Sequence, residues 1–579
     1  MSKSRAQDIL DVGNKLFDDK SGLDSLCQEI AENCYPERAD FTTKRTLGED
    51  FGDHLMDSYP VLARRELGNF MSAILRPKNK PWFAATTQND ELDNDAEVGQ
   101  FLEYLTNTTR TNFYDRRAKS IRATKEGDHD FVSFGQSIIS VEEAPNREHL
   151  YYRGHHFRDC AWLENEIGEV DNLHRKDAMT ARQMIAKFGA NKVHEKIRTA
   201  AEKEPGKTFP IRVVVQPSDE YDYKGPGSKN AKGKRLPFNI CYIDADHQSV
   251  IREGGLHDFI YVVSRWHTIP GFQYAFSPAA MTALPDMRLA QMLARIILEA
   301  GEKQIDPPLI AREEAVDGGT LQTGAINWIA AEYDERLGEA LRTLKIDADM
   351  RIGFEMRKDV REMITRAWFL DKLSLPEPGT DRTAYEVARI IEDHVRNLLP
   401  LFEPMEVEYN SALLDKTFSC LMNMNKFDWS RDRPGALAGR EITWTFKNPM
   451  QEASQRILVS QFGEVLQLIK AASEFGLQAS PIKIQTALDD AIRGTSAPSL
   501  WRKTKAEIEA EEKQAAMRQR IAGAMQEVNA GADVAQKVGD AAQSLQMAGL
   551  SQPPQSTAKV QPPIGVGPAA NINDARAAA

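Results

Sequence analysis

The 579-residue sequence contains no apolar run near the roughly 20 residues that a bilayer span needs, which excludes a helical integral membrane protein. Its first residues, Met-Ser-Lys-Ser-Arg-Ala-Gln-Asp, carry no apolar signal core, so export by that route is not expected. The closing alanines have no cysteine near them, so prenylation is not expected either. Cysteine is scarce. Cys27, Cys34, Cys160, Cys241 and Cys420 are odd in number, far apart and form no CxxC pair. A disulfide framework is therefore excluded and zinc disfavoured; reduced thiols, mostly buried as small hydrophobes, are expected. Positive charge is in deficit, with 73 Lys and Arg against 85 Asp and Glu and a net charge of −12. A tight grip on nucleic acid draws on cations at the phosphates, so an extended DNA- or RNA-coating surface is excluded. Loose enclosure of a sliding duplex is not. Aromatic residues are absent past Trp501.

What remains is an ordinary globular composition, 41% apolar and 27% charged, with length enough for about four lobes. Residues 1–125 read as mostly helical. Leu62, Leu67, Phe70, Met71, Ile74 and Leu75 repeat at helical spacing between Pro60 and Arg76-Pro77. From Phe131 the period shortens. Gln136–Glu142, Ile211–Gln216, Phe238–Ile243 and Phe259–Trp266 read as strands, and Ala178–Phe188 and Asn191–Lys203 as helices between them. This predicts an α+β, predominantly helical chain with an antiparallel sheet lobe over about 130–275. Lys224–Arg235, rich in Gly and Lys, reads as a loop.

Two strong helices follow. Over 285–303, Leu289, Met292, Leu293, Ile296 and Ile297 share one face, and Asp306-Pro307-Pro308 ends the run. Over 350–372, Met356, Val360, Met363, Ile364 and Ala367 share one face, with Arg351, Glu355, Lys358 and Glu362 on the other. Ser374–Arg382 reads as a loop, and Thr383–Leu399 and 451–475 as further helices. Past 503 the Ala-, Gln- and Glu-rich chain reads as exposed helix giving way to a disordered Pro- and Gln-rich end.

Familiar catalytic motifs nearly form and fail. Ala201–Thr208 resembles a GxxxxGKT phosphate loop, but Ala201 replaces the first glycine and a helix precedes the turn where a strand should. His194-Glu195 begins an HExxH zinc motif whose second histidine is Arg198. Asp244-Ala-Asp246-His247 and Asp128-His129-Asp130 place carboxylates and imidazoles together, and His155-His156 is a pair of imidazoles. With no second cluster at ligand spacing, they read as hairpin ends and a helix cap. There is no GxSxG elbow and no GxGxxG after a strand. No catalytic residue, cofactor or metal is expected.

One ordered set of short blocks is specific as a whole. Tyr59-Pro60, Leu62-Ala63, Leu75-Arg76-Pro77, Trp82-Phe83, Asp130-Phe131, Phe134-Gly135, Arg265-Trp266, Tyr274, Ser277-Pro278, Leu284-Pro285-Asp286, Asp306-Pro307-Pro308 and Thr383–Val387 follow in the order seen in the head-to-tail connector, or portal, proteins of short-tailed phages. The chain resembles that family over about residues 10–500. It departs at Tyr385, where the family has threonine, and at Ala275-Phe276, where a glycine is common.

The resemblance implies a ring of about twelve copies at one capsid vertex, through which a terminase pumps DNA and from which DNA later leaves. It implies a wing (1–284, helical part plus sheet lobe), stem helix 1 (285–304), a clip (305–349), stem helix 2 (350–372), a channel loop (373–382), a wing return (383–449), a crown (450–530) and a disordered tail (531–579). Arg351, Lys358, Arg361, Lys372 and Arg382 would lie near the phosphates. The simpler alternative is that Arg351 and Lys358 pair with Glu355 and Glu362. Arg312, Glu313, Glu314, Trp328 and Tyr333 would form the clip surface offered to the terminase large subunit and then to tail adaptor proteins, unless Trp328 is clip core. Double-stranded DNA, major capsid, scaffolding and internal core proteins complete the implied partners, in the virion and, during assembly, in the host cytoplasm, with no membrane. Two other readings compete: another structural component of the virion core or tail, and a metal-dependent nucleic-acid enzyme.

Overall fold

The computed structural model describes residues 4–305 apart from 47, 50, 79–80, 94 and 219–235. It also describes 309–311, 341–343, 350–373, 405–428, 434–437, 439–446, 511 and 513–518. Residues 503–579 form a unit of their own, helical where described.

The chain opens with α1 (Arg5–Asp19), nucleated by a Ser4/Gln7 capping box that satisfies two orphan backbone donors. Ala6, Ile9, Leu10, Gly13, Leu16 and Phe17 form its buried stripe. α2 (Ser21–Cys34) and α3 (Tyr59–Leu75) follow, α3 with Pro60 in its first turn, where the missing N–H costs nothing. The buried stripe of α3 is Ala63, Leu67, Met71 and Leu75; Leu62, expected inside, is 46% exposed because it lies one residue off that stripe. Next come β1 (Phe83–Thr86), α4 (Asp90–Asp93), α5 (Ala96–Phe113) and α6 (Ser120–Phe134).

Gly135 caps α6 at φ +78, and a Cβ there would sit 2.6 Å from the backbone of Phe276 and Ser277. Only glycine allows this crossing, and it delivers the chain into the sheets. The strands are β2 (Gln136–Glu143), β3 (Leu150–His155), β4 (Cys160–Glu164), β5 (Val170–Thr180), β6 (Thr208–Pro217), β7 (Phe238–Asp244), β8 (Ser249–Leu256) and β9 (Tyr261–Arg265). They make two antiparallel sheets, ordered β3-β2-β9 and β4-β5-β6-β7-β8. Ile139 anchors the register of the first, facing Gly154 on one side and Val262 on the other. α7 (Ala181–Phe188) and α8 (Glu195–Lys203) cover one face of the larger sheet, and α1 another patch through Val214, Cys241 and Ile243.

The expected α+β lobe is present, and it is larger than expected, because β3, β4, β5 and β8 add to the four strands read from the sequence. β5 reads as polar, yet His174 and Arg175 are buried on it. The helix expected from Ala178 begins at Ala181, since 178–180 complete β5 and Thr180 caps α7 with Gln183. Likewise α8 begins only after His194.

A short ribbon, β10 (His267–Thr268) with β11 (Ala275–Phe276), leads to a π-helical turn at Ala279–Ala283 and then to α9 (Leu284–Ile305). α9 has 22 residues, about 33 Å. β12 (Leu309–Ala311) pairs antiparallel with β13 (Leu341–Thr343), and α10 (Met350–Ala367) returns alongside α9. The single helix expected over 350–372 is broken: Trp368 is fully buried, Phe369 is left-handed at φ +56, and a new turn, α11 (Leu370–Leu373), buries Leu373. A second π-helical turn, Glu406–Ser411, runs into α12 (Ala412–Asn423), and β14 (Thr443–Phe446) pairs with β1. The Lys224–Arg235 loop, most of the 305–349 insertion, the 374–382 loop and the helices read over 383–399 and 451–475 lie outside the described residues.

Candidate functional site

The α9–α10 pair presents three surfaces. The inner one is tight. Leu293 and Ile297 of α9 are buried with Val360 and Ile364 of α10, and a Cβ on Gly353 would lie 3.1 Å from Ile297 Cγ1. Gly301 sits beside Met350 in the same way, so the helices run antiparallel.

The second surface is apolar and turned outward. On α10, Ile352, Met356 and Met363 follow i, i+4, i+11 spacing and lie on one stripe at 58%, 47% and 48% exposure. On α9, Met292 and Ile296, i and i+4, are 54% and 51% exposed on the side away from the buried stripe. The sequence pattern puts Met292, Ile296, Met356 and Met363 with the core-facing residues; among the described residues all four are exposed.

The third surface is charged. Arg351, Glu355, Lys358 and Glu362 are exposed along α10. Lys358 borders a shallow recess of ≈ 250 Å³ with Tyr59, Phe354, Arg357, Arg361, Glu362 and Thr365. Arg361 differs from its neighbours. It is half-buried and forks onto the Asp57 carboxylate at 2.9 Å, with its guanidinium 5.2 Å from the Tyr59 ring. Lys372 is exposed on α11, its ammonium 5.6 Å from the ring of Phe369. Arg382, Arg312, Glu313, Glu314, Trp328 and Tyr333 lie outside the described residues.

The clusters that suggested chemistry are occupied by structural work. Asp244 closes the β7–β8 turn by accepting from the backbone of Asp246 and His247 and pairing with His247 Nδ1 at 2.8 Å. His194 caps α8 and stacks on His247, with ring centres 3.8 Å apart. Residues 204–207 form the helix-to-strand turn ahead of β6. His156 bonds Asp40 at 2.7 Å, and His155 is held between Ser140 and Arg175 at 3.0 Å each. Asp128 and Asp130 are not a helix cap: they lie in the last two turns of α6, and their carboxylates are spent on Arg76 and Arg38. Among the described residues, no group of three or more His, Cys, Asp or Glu could hold a metal ion.

The Arg76–Asp128 pair belongs to a buried network invisible to spacing rules. Arg76 also donates to Asn410 at 2.8 Å, and the Tyr409 hydroxyl donates to Asp128 at 2.8 Å. Burial pushes the Asp128 carboxyl up, and Arg76 and the Tyr409 hydroxyl pull it back. The network pins the end of α3, α6 and the Glu406–Ser411 turn together. Arg265 does the same between the sheets, joining Glu164, Glu408 and the Gly168 carbonyl. The blocks Leu75-Arg76-Pro77 and Arg265-Trp266 flagged one member of each network; Asn410, Tyr409 and Glu408 stood in a stretch without pattern.

Comparison with known proteins converges on one family. The model for "Bacteriophage head to tail connecting protein" matches residues 6–499. The "Probable portal protein" of Bordetella phage BPP-1 is 25% identical over 458 residues, 78% of this chain and 80% of its own length. The "Portal protein" of Salmonella phage epsilon15 is 21% identical over 499 residues, 84% of this chain and 87% of its own. Among solved structures, a chain from the "Neck of empty GTA particle computed with C6 symmetry" aligns at 11% identity and a TM-score of 0.30, over 70% of this chain and 86% of that one. A family match running through the helical layer, both sheets and the α9–α10 pair assigns this chain to the bacteriophage head to tail connecting proteins.

Proposed function

We propose that the chain performs phage portal function at the capsid vertex, as a ring through which DNA enters the head and later leaves. The family is a structural one, and both relatives carry the name of portal protein. One observation carries the ring: the outward apolar stripes on α9 and α10. In a single subunit Met292, Ile296, Ile352, Met356 and Met363 are each about half exposed. If α10 of one copy packs on α9 of the next, both stripes are covered, and the contact is heterologous, the kind that forms a ring when the rotation between copies closes.

The α9–α10 pair is then the stem (285–304 and 350–372), the insertion between them the clip, residues 1–284 and 383–449 the wing, and 450–530 the crown. The charged surface of α10 is left for the channel. Its alternating signs suit that place, because a dense row of cations would bind phosphates and resist sliding. Arg351, Lys358, Lys372 and Arg382 supply sparse positive charge, and Arg312, Glu313, Glu314, Trp328 and Tyr333 the docking surface for the terminase and then the tail adaptor. The ring is passive, and packaging energy comes from the terminase.

Electron microscopy of the purified full-length protein, with mass measured on the same sample, tests this. The expected particle is a hollow ring of about twelve subunits with a narrow stem and a wider wing. A stable monomer or compact dimer under assembly conditions would overturn the assignment.

A further inference from the structure

A short strap ties the N-terminal helices to both members of the helix pair. Gln291 of α9 brackets its backbone: Oε1 accepts from the N–H groups of Met56 and Asp57 at 2.8 and 2.9 Å, and Nε2 donates to the Asp57 carbonyl at 2.8 Å. From the other side, the Asp57 carboxylate, only 3% exposed, accepts both arms of the Arg361 fork of α10 at 2.9 and 3.1 Å. Asp57 also receives the Tyr59 N–H at 2.9 Å, which fixes the start of α3. The Tyr59 hydroxyl meets Thr365 Oγ1 of α10 at 2.6 Å. A two-pronged, charge-assisted bond to a buried carboxylate is strong and demands one geometry.

Two irregular joints bound the same helices. The chain enters α9 through the π-helical turn Ala279–Ala283 and leaves α10 through Phe369, a non-glycine residue at φ +56. Such turns let a helix axis change direction without loss of the helices on either side.

We propose that the Met56–Tyr59 strap is a latch. Closed, it fixes the angle between the α9–α10 pair and the N-terminal helices; open, it lets the pair swing about the π-helical turn and Phe369. Arg361 is thereby a latch residue, its charge committed inside the subunit, and the channel-facing cations do not include it. The use of such a latch, to hold the channel at one angle until load arrives, rests on the portal reading. The latch itself is a property of one subunit and is tested without any DNA.

The test is a distance measurement between spin labels on cysteines placed at Asn107 of α5 and Glu302 of α9, both exposed. Four native cysteines are buried and the fifth, Cys420, is replaced by serine throughout. Labelled subunits are diluted with unlabelled ones so that only distances within a subunit are read. With the latch intact a single narrow distance is expected; Asp57→Asn and Arg361→Lys, which keep shape or charge but break the fork, each give a roughly twofold broader or a two-peaked distribution. The intact narrow distance in both variants would overturn the proposal. So would a broad distribution in the unmodified subunit, or loss of the folded state in both variants, which would make the strap ordinary core.

Discussion

Arg76 is fully enclosed, and a guanidinium cannot shed its charge to suit an apolar site. Its stability rests on Asp128, and Asp128 rests on Arg76 and Tyr409. Arg76→Ala strands a buried carboxylate, and the expected loss is roughly 3–5 kcal/mol, read as a lower urea midpoint. Tyr409→Phe removes one hydroxyl donor and costs roughly 1 kcal/mol in the same measurement. Histidines set the acid limit. Burial, then the nearby Arg212, pushes the pKa of His174 down to about 4; burial, then Arg175 and Arg153, pushes His155 well below its ordinary value. Both are therefore neutral in the fold but take up protons near pH 6.5 once unfolded. For His174 this stability is complete above about pH 6.5 and is lost as the pH falls from there towards 4, by roughly 1.4 kcal/mol per unit, and His155 acts in the same direction. Urea midpoints at pH 7.5 and 5.0 check this, and His174→Leu should flatten the slope. None of these partnerships was legible in the sequence, because Arg76 and Tyr409 meet across more than half the chain. Residue type announced that Asp128 was interesting, but only the fold says what it faces.

Helices were read best where burial is one-sided. The limits of α9 differ from the spacing prediction by one or two residues, since Pro285 and Asp306-Pro307 punctuate it chemically. The outcome differs on α10 because periodicity cannot tell an apolar stripe that meets its own chain from one that meets a copy. Val360 and Ile364 do the first; Met356 and Met363 stay exposed, and in the ring proposed above they do the second. Met356→Glu with Met363→Glu should therefore abolish the ring in sedimentation or mass measurements while the circular dichroism of the subunit stays unchanged. An intact ring in the double variant would remove the stripe from the interface. The break at Phe369 escaped prediction for another reason. Nothing local ends the helix, and what bends the chain is the fully buried Trp368 seated in the distant core. Strands β5 and β8 were missed because buried polar residues in one and a Gly-Gly pair in the other hide the two-residue alternation.

At the scale of the whole molecule, the ordered blocks from Tyr59 to Val387 carried the family before any contact was known, and the α+β class followed from composition and period alone. What one chain could not reveal is which surfaces face a neighbour. The passive ring proposed above makes a plain biochemical demand: the purified protein should show no DNA-stimulated ATP hydrolysis, and activity that tracks with the protein through successive purification steps would contradict that proposal. A further consequence lies in the pairing of β1 with β14. Thr86 and Thr443 are hydrogen-bonded neighbours separated by 357 residues. During synthesis at roughly 5–20 residues per second, β1 waits roughly 20–70 seconds for its partner to leave the ribosome. For that time an unpaired strand carrying Phe83 is open to any other chain that can offer an edge. The last described strand to be made is thus the one that closes the first, and the yield of soluble subunit should depend on translation reaching it promptly.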